Sequence, residues 1–352
     1  MEKHTAQRNT QVDMLRGIAM LLVVLGHTLS GCTAEYQTSF VYEVIWALQM
    51  PLFVLISGYV TRYSRPTKDP VSLLVLLGRR TLAYLLPWTV WTFLVRGLIF
   101  GDEGFLDLKH IFYSMDSGYW FLFTIWTISV IFALSRFVTS CILQGRGNAA
   151  VDTLLVGGFY ILGMGLLAVL GKLTDMSFLC IKLTLYYMPF FFAGYLFGRF
   201  SEWIMGLRYG RIATDAVSAL CLGVFIYLLN TREIYNVGDS LTGIIVRAAT
   251  SLAGCVAVCG LFRFVTGSFE LLNRALTWVG VHSLEVYLVH YLLLTIVRPV
   301  ELPALSSYQG MLTALVNFAV TVTLSVLVIR VLNHSETLQL VLFGKLPKRE
   351  RS

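Results

Sequence analysis

The first apolar segment of the chain carries three ionisable residues that would share one side of a helix. Asp13, Arg16 and His27 lie in an otherwise mostly apolar run. At about 100° per residue, Arg16 and His27 point within roughly 20° of each other, and Asp13 lies about 60° from Arg16. A rise of ~1.5 Å per residue separates Arg16 from His27 by roughly 16 Å along the helix axis. Polar groups inside a membrane are costly, so this stripe predicts a functional site if the segment enters a bilayer.

A second polar group lies in an apolar segment near the carboxyl end of the chain. Ser283, Tyr287 and His290 follow i, i+4, i+7 spacing and would share one helix face. His290 would lie about thirteen residues, or roughly 20 Å, inside its span, which is close to the depth expected of His27. Glu285 points elsewhere and needs a buried arginine or a polar cavity. The alternative is that Ser283, Tyr287 and His290 only form hydrogen bonds to neighbouring helices.

Other candidates lie near the ends of predicted membrane spans. Arg79 and Arg80 interrupt an apolar run, and we expect residues 71–81 to form an interfacial helix that leaves both arginines at the cytoplasmic surface. The alternative is that the two arginines only anchor the topology. Glu43, near the outer end of the second span, is a candidate cavity residue. Trp120 belongs to an aromatic cluster that suits an interfacial anchor better than a surface for stacking sugars.

The composition is that of an integral membrane protein. The 352 residues are 57% hydrophobic and 13% charged, against about 25% charged residues in a soluble domain, and the mean hydropathy is +0.73. Apolar runs near the ~20 residues needed to cross a bilayer recur along the whole chain. We therefore predict an all-α integral membrane protein with about ten transmembrane helices. The predicted spans are residues 14–30, 40–60, 82–100, 119–138, 151–171, 183–200, 211–230, 241–262, 277–297 and 310–332.

The distribution of charge predicts the topology. Lys and Arg concentrate in alternate loops and in both tails, so we expect both termini in the cytoplasm. The predicted organisation is a cytoplasmic tail over 1–12, a transmembrane domain over 13–335 and a basic cytoplasmic tail over 336–352. No small-residue cleavage site follows the first span, so we expect a retained span and not a signal peptide. The net charge of +7 then needs no nucleic-acid partner, and the six scattered cysteines predict no metal site.

Several of these motifs resemble those of the membrane-bound acyltransferase family 3, especially its branch of fucose 4-O-acetylase-like sugar O-acetyltransferases. Arg16 and His27, with ten residues between them, match the family's Arg–His signature. The resemblance covers essentially the whole chain. It rests further on the segments Met50-Pro51-Leu52-Phe53, Ser57-Gly58-Tyr59, Arg79-Arg80, Trp120-Phe121-Leu122 and Ser283 to His290. One departure is Gln49, where many members of this branch carry histidine, so no role is carried over to that position.

The resemblance implies transfer of an acetyl group from acetyl-coenzyme A to a sugar hydroxyl of an envelope or exported glycan, without a metal ion. His27 would be a general base or a transient acyl carrier, and histidine suits proton transfer near neutral pH. Arg16, Arg79 and Arg80 would bind the coenzyme phosphates. Asp13, the second catalytic candidate, would orient Arg16 or cap the helix. The supporting residues expected on the acceptor side are Glu43, Trp120, Ser283, Glu285, Tyr287 and His290.

The resemblance also implies a multi-pass protein of a bacterial cytoplasmic membrane. Its expected partners are acyl-coenzyme A, a glycan or lipid-linked sugar and the lipid bilayer. No esterase-like domain follows the last span, so we expect a stand-alone enzyme. The alternative class is a transporter or glycan flippase that uses the same intramembrane histidine and arginine. Transporters often carry internal repeats with broken helices in matching positions, and the two halves of this chain show no convincing self-similarity.

Overall fold

The regular structure of the chain is helical. The computed structural model describes residues 9–64, 67–115, 118–231, 240–265, 269–294, 296 and 298–346, so residues 1–8 and 347–352 of the predicted tails lie outside the description. The helices in these ranges are α1 (Thr10–Cys32), α2 (Phe40–Tyr59), α3 (Pro70–Thr89), α4 (Leu108–Tyr113), α5 (Trp120–Leu143), α6 (Ala149–Leu173), α7 (Ile181–Gly206), α8 (Gly210–Thr231), α9 (Leu241–Val265), α10 (Glu270–Val281), α11 (Ser283–Leu293), α12 (Tyr308–Leu332) and α13 (Glu336–Phe343). Helix α3 continues directly as a π-helix over Val90–Ile99.

Nine helical segments of the described chain are long and apolar enough to cross a membrane. They contain α1, α2, α3 with its π-helical continuation, α5, α6, α7, α8, most of α9, and α12. All nine overlap predicted spans, which confirms the prediction of an all-α, multi-pass membrane protein.

The predicted ninth span, residues 277–297, is wrong as a single helix. The backbone of His282 (φ −104°, ψ 23°) leaves helical geometry and divides the segment into α10 and α11. Helix α11 has 11 residues, so at helical rise it is about 16 Å long and too short to cross ~30 Å of hydrocarbon alone. Thr295 and Val297, at the end of the predicted span, lie outside the described residues.

The predicted interfacial helix over 71–81 is also wrong as a separate element. Helix α3 runs without a break through Arg79 and Arg80 and into the third span. Its N-cap is Asp69, whose carboxylate accepts hydrogen bonds from the Ser72 hydroxyl at 2.6 Å and from the Ser72 N–H at 2.8 Å. These two donors hold the pKa of Asp69 below its usual value. Because the helix is capped at Asp69 and has no break after it, residues 71–81 are part of the same helix as the third span.

The chain divides into two compact units. The first comprises Met1–Tyr59 and Ala193–Val331, and the second comprises Val60–Phe192 and Leu332–Ser352. In the first unit, α1 packs against α2, α10 and α11, while α9 packs against α2 and α8. This unit therefore contains both polar stripes predicted from the sequence.

Main-chain hydrogen bonds join the segment after α1 to the segment before α12 within the first unit. The Ala34 N–H donates to the Pro303 carbonyl at 2.9 Å, and the Leu305 N–H donates to the Ala34 carbonyl at 3.0 Å. Buried apolar residues of α1, α2 and α12 pack together in the same unit. Main-chain hydrogen bonds and apolar packing therefore both hold the end of α1 that carries His27.

The second unit holds α3 to α6, the first part of α7, and α13. Helix α5 packs against α3 and α6, and α13 packs against α3. The Trp91 indole N–H donates to the Leu342 carbonyl at 2.8 Å. The next residue, Phe343, is buried and stacks on the Trp91 ring with 6.4 Å between centroids. Residues 336–343 of the predicted basic tail are thus a packed helix.

Candidate functional site

Helix α1 begins just before the residues predicted to be functional. Its N-cap is Asn9, whose side-chain oxygen accepts hydrogen bonds from the N–H groups of Gln11 and Val12 at 3.1 and 3.4 Å. This cap satisfies donors that a helix start leaves open. The capping alternative for Asp13 is therefore wrong. Asp13 lies inside the helix with 3% of its surface exposed, three positions before the half-buried Arg16 on the same helix surface.

Helices α1 and α10 meet backbone to backbone at two glycines. A Cβ atom on Gly280 would lie 1.7 Å from the Asp13 carbonyl oxygen, and a Cβ atom on Gly17 would lie 2.1 Å from the Leu276 carbonyl oxygen. No side chain fits at either position. Small residues of this kind let helices approach closely within membranes.

This glycine contact places α1 beside the α10–α11 segment, with both running in the same direction. His27 follows Gly17 by ten positions, and His290 follows Gly280 by ten positions. The ring centroids of His27 and His290 lie 5.4 Å apart. The glycine contact and the histidine contact are therefore separated by ten residues, about 15 Å at helical rise, on both segments. This equal spacing shows that the segments are parallel and in register. The predicted similar depth of the two histidines is confirmed.

His27 lies in the carboxyl-terminal third of α1 and is half-buried. Five positions separate it from Cys32, the last residue of the helix, which is roughly 8 Å at helical rise. The Tyr291 and His27 rings meet edge to face, with 82° between planes and 5.7 Å between centroids. His27 therefore packs against two rings of α11, those of His290 and Tyr291, while part of its surface stays accessible.

His290 is oriented by its own helix. Only 1% of its surface is exposed, and its Nδ1 lies 2.9 Å from the Val286 carbonyl oxygen. A carbonyl oxygen only accepts hydrogen bonds, so Nδ1 carries a proton. Burial disfavours a charged imidazole, so the ring is neutral and Nε2 presents a lone pair. Nε2 is buried and has no hydrogen-bond partner within the described part of the chain. His290 therefore offers an acceptor atom close to His27.

The other residues of the second polar stripe differ in their surroundings. The Tyr287 ring lies 6.1 Å from the His290 ring, centroid to centroid. Ser283 is the first residue of α11 and is half-buried, and Glu285 is buried with 1% of its surface exposed. The structure thus places the Tyr287 ring beside His290, one turn from where α11 begins.

Helix α2 contributes Gln49 to the neighbourhood of His27. A Cβ atom on Gly26 would lie 3.0 Å from Gln49 Oε1, so the amide packs against α1 at the residue before His27. This oxygen is buried, and no hydrogen-bond partner for it occurs among the described residues. Glu43, in the first turn of the same helix, is buried with 7% of its surface exposed. Pro51 lies inside α2 two positions after Gln49, where it removes one backbone donor.

Three predicted site residues belong to the second unit. Arg79 is exposed and Arg80 is half-buried, both on α3. Trp120 begins α5, and its ring stacks on the Tyr187 ring with 5.7 Å between centroids and 20° between planes. This stacking supports the interpretation of Trp120 as part of an aromatic cluster.

Two residues of the first unit were not predicted from the sequence. Tyr291 contacts His27, and the sequence feature that could have indicated it is its position directly after His290. Arg247 lies on α9 with its guanidinium carbon 5.7 Å from the centroid of the Trp46 ring, a cation–π arrangement. A charged residue inside the predicted span 241–262 was the available signal, because such residues usually mark polar sites.

The fold and these contacts define a polytopic helical membrane protein with a pair of imidazoles between its helices. The chain belongs to the acyltransferase 3 family, because the acyltransferase domain that defines this family matches residues 9–330. The protein is therefore a membrane acyltransferase, which confirms the resemblance stated from the sequence.

Two curated relatives are both described as nodulation protein NolL. The protein from Sinorhizobium fredii is 24% identical over 305 residues, which cover 80% of this chain and 77% of the relative. The protein from Mesorhizobium japonicum is 30% identical over 145 residues, which cover 39% of this chain and 37% of the relative. No solved structure matches the chain.

Proposed function

We propose that this acyltransferase moves an acetyl group from acetyl-coenzyme A to a sugar hydroxyl of an envelope or exported glycan. Acyl transfer follows from the family. The observation that carries the assignment of a catalytic residue is the contact between His27 and His290, whose ring centroids lie 5.4 Å apart inside the helical bundle of the first unit. Acetyl transfer to a hydroxyl needs a group that accepts a proton near neutral pH, and imidazole suits that task.

Arg16 is proposed to bind the coenzyme A phosphates near the start of α1. Its planar guanidinium matches phosphate oxygens in a two-point arrangement. Asp13, three positions earlier, would hold that guanidinium in place, and Arg79 and Arg80 are proposed as further phosphate ligands. The thioester would then reach along α1 toward His27, roughly 16 Å from Arg16 along the axis.

In the first form of the reaction, His27 is a general base. The sugar hydroxyl oxygen attacks the thioester carbonyl carbon while its proton passes to the imidazole of His27. The C–S bond breaks, the new ester bond remains on the sugar, and the thiolate takes the proton from the imidazolium to leave as coenzyme A. Atoms and charges balance without any further reactant.

In the second form, His27 carries the acetyl group. A ring nitrogen of His27 attacks the thioester, and coenzyme A leaves as the thiol with the proton of the other ring nitrogen. The sugar hydroxyl then attacks the acetyl-imidazole, and its proton returns to the ring as the ester forms. Incubation with radiolabelled acetyl-coenzyme A in the absence of a glycan separates the two forms. Label on wild-type protein that is absent from the His27→Ala variant supports the carrier, and unlabelled wild-type protein supports the base.

The acceptor is proposed to arrive from the side of the membrane opposite the chain termini. With both termini in the cytoplasm of a bacterium and the protein in its cytoplasmic membrane, α1 enters from the inner surface. His27 then lies roughly 8 Å from the outer end of α1. The proposed acceptor-side residues remain Glu43, Trp120, Ser283, Glu285, Tyr287 and His290.

The test is acetylation by a His27→Ala variant, with His334→Ala as a matched control. His334 is an exposed histidine after α12. Purified variants are given acetyl-coenzyme A and glycans extracted from cells that lack the protein, and acetylation is measured by mass spectrometry. We expect no acetylation with His27→Ala, wild-type acetylation with His334→Ala, and unchanged thermal unfolding of both.

Undiminished acetylation by folded His27→Ala protein would reject His27 as the catalytic residue. Failure of the wild-type protein to bind acetyl-coenzyme A would reject the proposed donor. Movement of glycan across vesicle membranes without acetylation would support the alternative function of a transporter or flippase.

A further inference from the structure

Two buried hydrogen-bond acceptors lie near His27 and remain unused. They are Nε2 of His290 and Oε1 of Gln49, and neither has a hydrogen-bond partner among the described residues. Most buried polar atoms in proteins are hydrogen-bonded, and an unsatisfied one reduces stability. Two such atoms around one candidate catalytic residue therefore indicate a ligand that supplies the missing donors.

The two acceptors lie on different helices, each packed against α1 at or next to His27. Helices α2 and α11 both pack against α1. The Gln49 amide lies against Gly26, the residue that precedes His27, where a Cβ atom would lie 3.0 Å from Oε1. The His290 ring lies 5.4 Å from the His27 ring. Because Gly26 has no side chain, the Gln49 oxygen can approach α1 this closely.

Both atoms can only accept. The Val286 carbonyl accepts a hydrogen bond from Nδ1–H of His290, so Nε2 of the neutral ring carries a lone pair, and an amide oxygen has no proton to donate. A thioester carbonyl and phosphate oxygens are also acceptors, so they cannot satisfy these atoms. Hydroxyl groups of a sugar can, and so can the amide N–H groups of the pantetheine arm. The sugar is favoured because its hydroxyls flank the reacting oxygen itself.

We propose that Gln49 and His290 each accept a hydrogen bond from a hydroxyl group of the sugar acceptor. These two hydroxyl groups are neighbours of the hydroxyl that receives the acetyl group beside His27. This inference rests on the proposed function and adds the residues that read the acceptor. Helices α2 and α11 then determine which sugar ring is accepted. The position that departs from the resembled family, Gln49, becomes a residue that determines specificity.

The experiment pairs variants of the protein with acceptors that lack single hydroxyls. Purified protein is given acetyl-coenzyme A and a panel of octyl glycosides, and kcat/KM is measured for the best glycoside and for each of its single-deoxy analogues. Gln49→Met keeps the length of the side chain and removes the acceptor. Gln309→Met is the matched control, because Gln309 is exposed on α12.

We expect the wild-type protein and Gln309→Met to lose about 10-fold in kcat/KM when one particular hydroxyl is missing, the loss typical of one neutral hydrogen bond. Gln49→Met should lose this discrimination and treat the parent and that analogue alike. His290→Phe should lose discrimination at a second hydroxyl, and His290→Gln, which restores an acceptor, should regain part of it. Binding of acetyl-coenzyme A should be unchanged in Gln49→Met and His290→Gln.

Each other outcome overturns the inference. Discrimination identical to that of the wild-type protein in both Gln49→Met and His290→Phe would exclude a role in reading the acceptor. Gln49→Met could instead bind acetyl-coenzyme A more weakly and still discriminate between the parent glycoside and its deoxy analogues. That result would show that the Gln49 oxygen accepts a hydrogen bond from the pantetheine arm and not from the sugar. A wild-type protein that binds acetyl-coenzyme A and acetylates no glycoside would contradict the sugar acceptor of the proposed function as well. The proposed function and the inference therefore fail in distinguishable ways.

Discussion

Gly17 and Gly280 lie where the backbones of α1 and α10 touch, and they set the register that brings two histidines together ten positions further along. A Cβ atom on Gly280 would meet the Asp13 carbonyl oxygen at 1.7 Å, so any larger residue must push the helices apart. The contact between His27 and His290 depends on that register. A packing feature near one end of α1 thus controls the candidate site near its other end.

Gly280→Ala should therefore lower both stability and acetyl transfer. Gly223→Ala on α8 is the matched control, because a Cβ atom there meets nothing within 4 Å. Alanine favours a helix over glycine by about 0.5–1 kcal/mol at either position. We expect Gly223→Ala to unfold at or above the wild-type temperature in detergent, and Gly280→Ala to unfold at a lower temperature. If Gly280→Ala and Gly223→Ala had the same unfolding temperature and the same activity, α1 and α10 could move apart without affecting stability or acetyl transfer.

Arg16→Ala should weaken the use of acetyl-coenzyme A without preventing folding. A lost hydrogen bond to a charged group is typically worth about 1.5–3 kcal/mol, so KM for acetyl-coenzyme A should rise at least 10-fold. Arg16→Lys keeps the charge and loses the planar guanidinium, so its KM should lie between those of the wild-type protein and Arg16→Ala. Arg274→Ala is the control, since Arg274 is an exposed residue of α10 paired with Glu270 at 2.5 Å. An unchanged KM in Arg16→Ala would remove Arg16 from the donor site.

Asn9→Ala should destabilise the start of α1 by about 1 kcal/mol, because the cap for two backbone N–H groups is lost. Asn9→Asp should retain most of the stability. Asn148→Ala provides the comparison, because Asn148 caps α6 by accepting from the Val151 N–H at 2.9 Å. Both alanine variants should unfold at a lower temperature. Only Asn9→Ala should also raise KM for acetyl-coenzyme A, since α1 carries Arg16.

Trp91→Phe should loosen α13. The variant keeps an aromatic ring against Phe343 and loses the hydrogen bond from the indole to the Leu342 carbonyl, at a cost of about 1 kcal/mol. Limited proteolysis should then cleave the chain within 336–346 faster than in the wild-type protein. Trp203→Phe is the control, because Trp203 is 66% exposed. Identical cleavage rates in both variants would mean that the hydrogen bond does not hold α13.

Much of the architecture follows from composition and periodicity. Apolar runs of about 20 residues predict spans because the bilayer fixes their length, and the parallel depths of His27 and His290 follow from helical rise. The break at His282 does not follow, because histidine has no strong local preference for ending a helix. Helix α13 was taken for a tail because its packing against Trp91 is a tertiary contact. The Gln49 contact was missed because it depends on the absence of a side chain at Gly26.

The main-chain link between Ala34 and the segment before α12 determines which changes near His27 the protein can tolerate. Backbone groups form this link, so the side chains around it can change in evolution while the end of α1 that carries His27 stays in place. Proline at position 34 or 305 is the exception, because it deletes the donating N–H. Homologues that carry proline at either position would therefore need another way to tether this end of the helix.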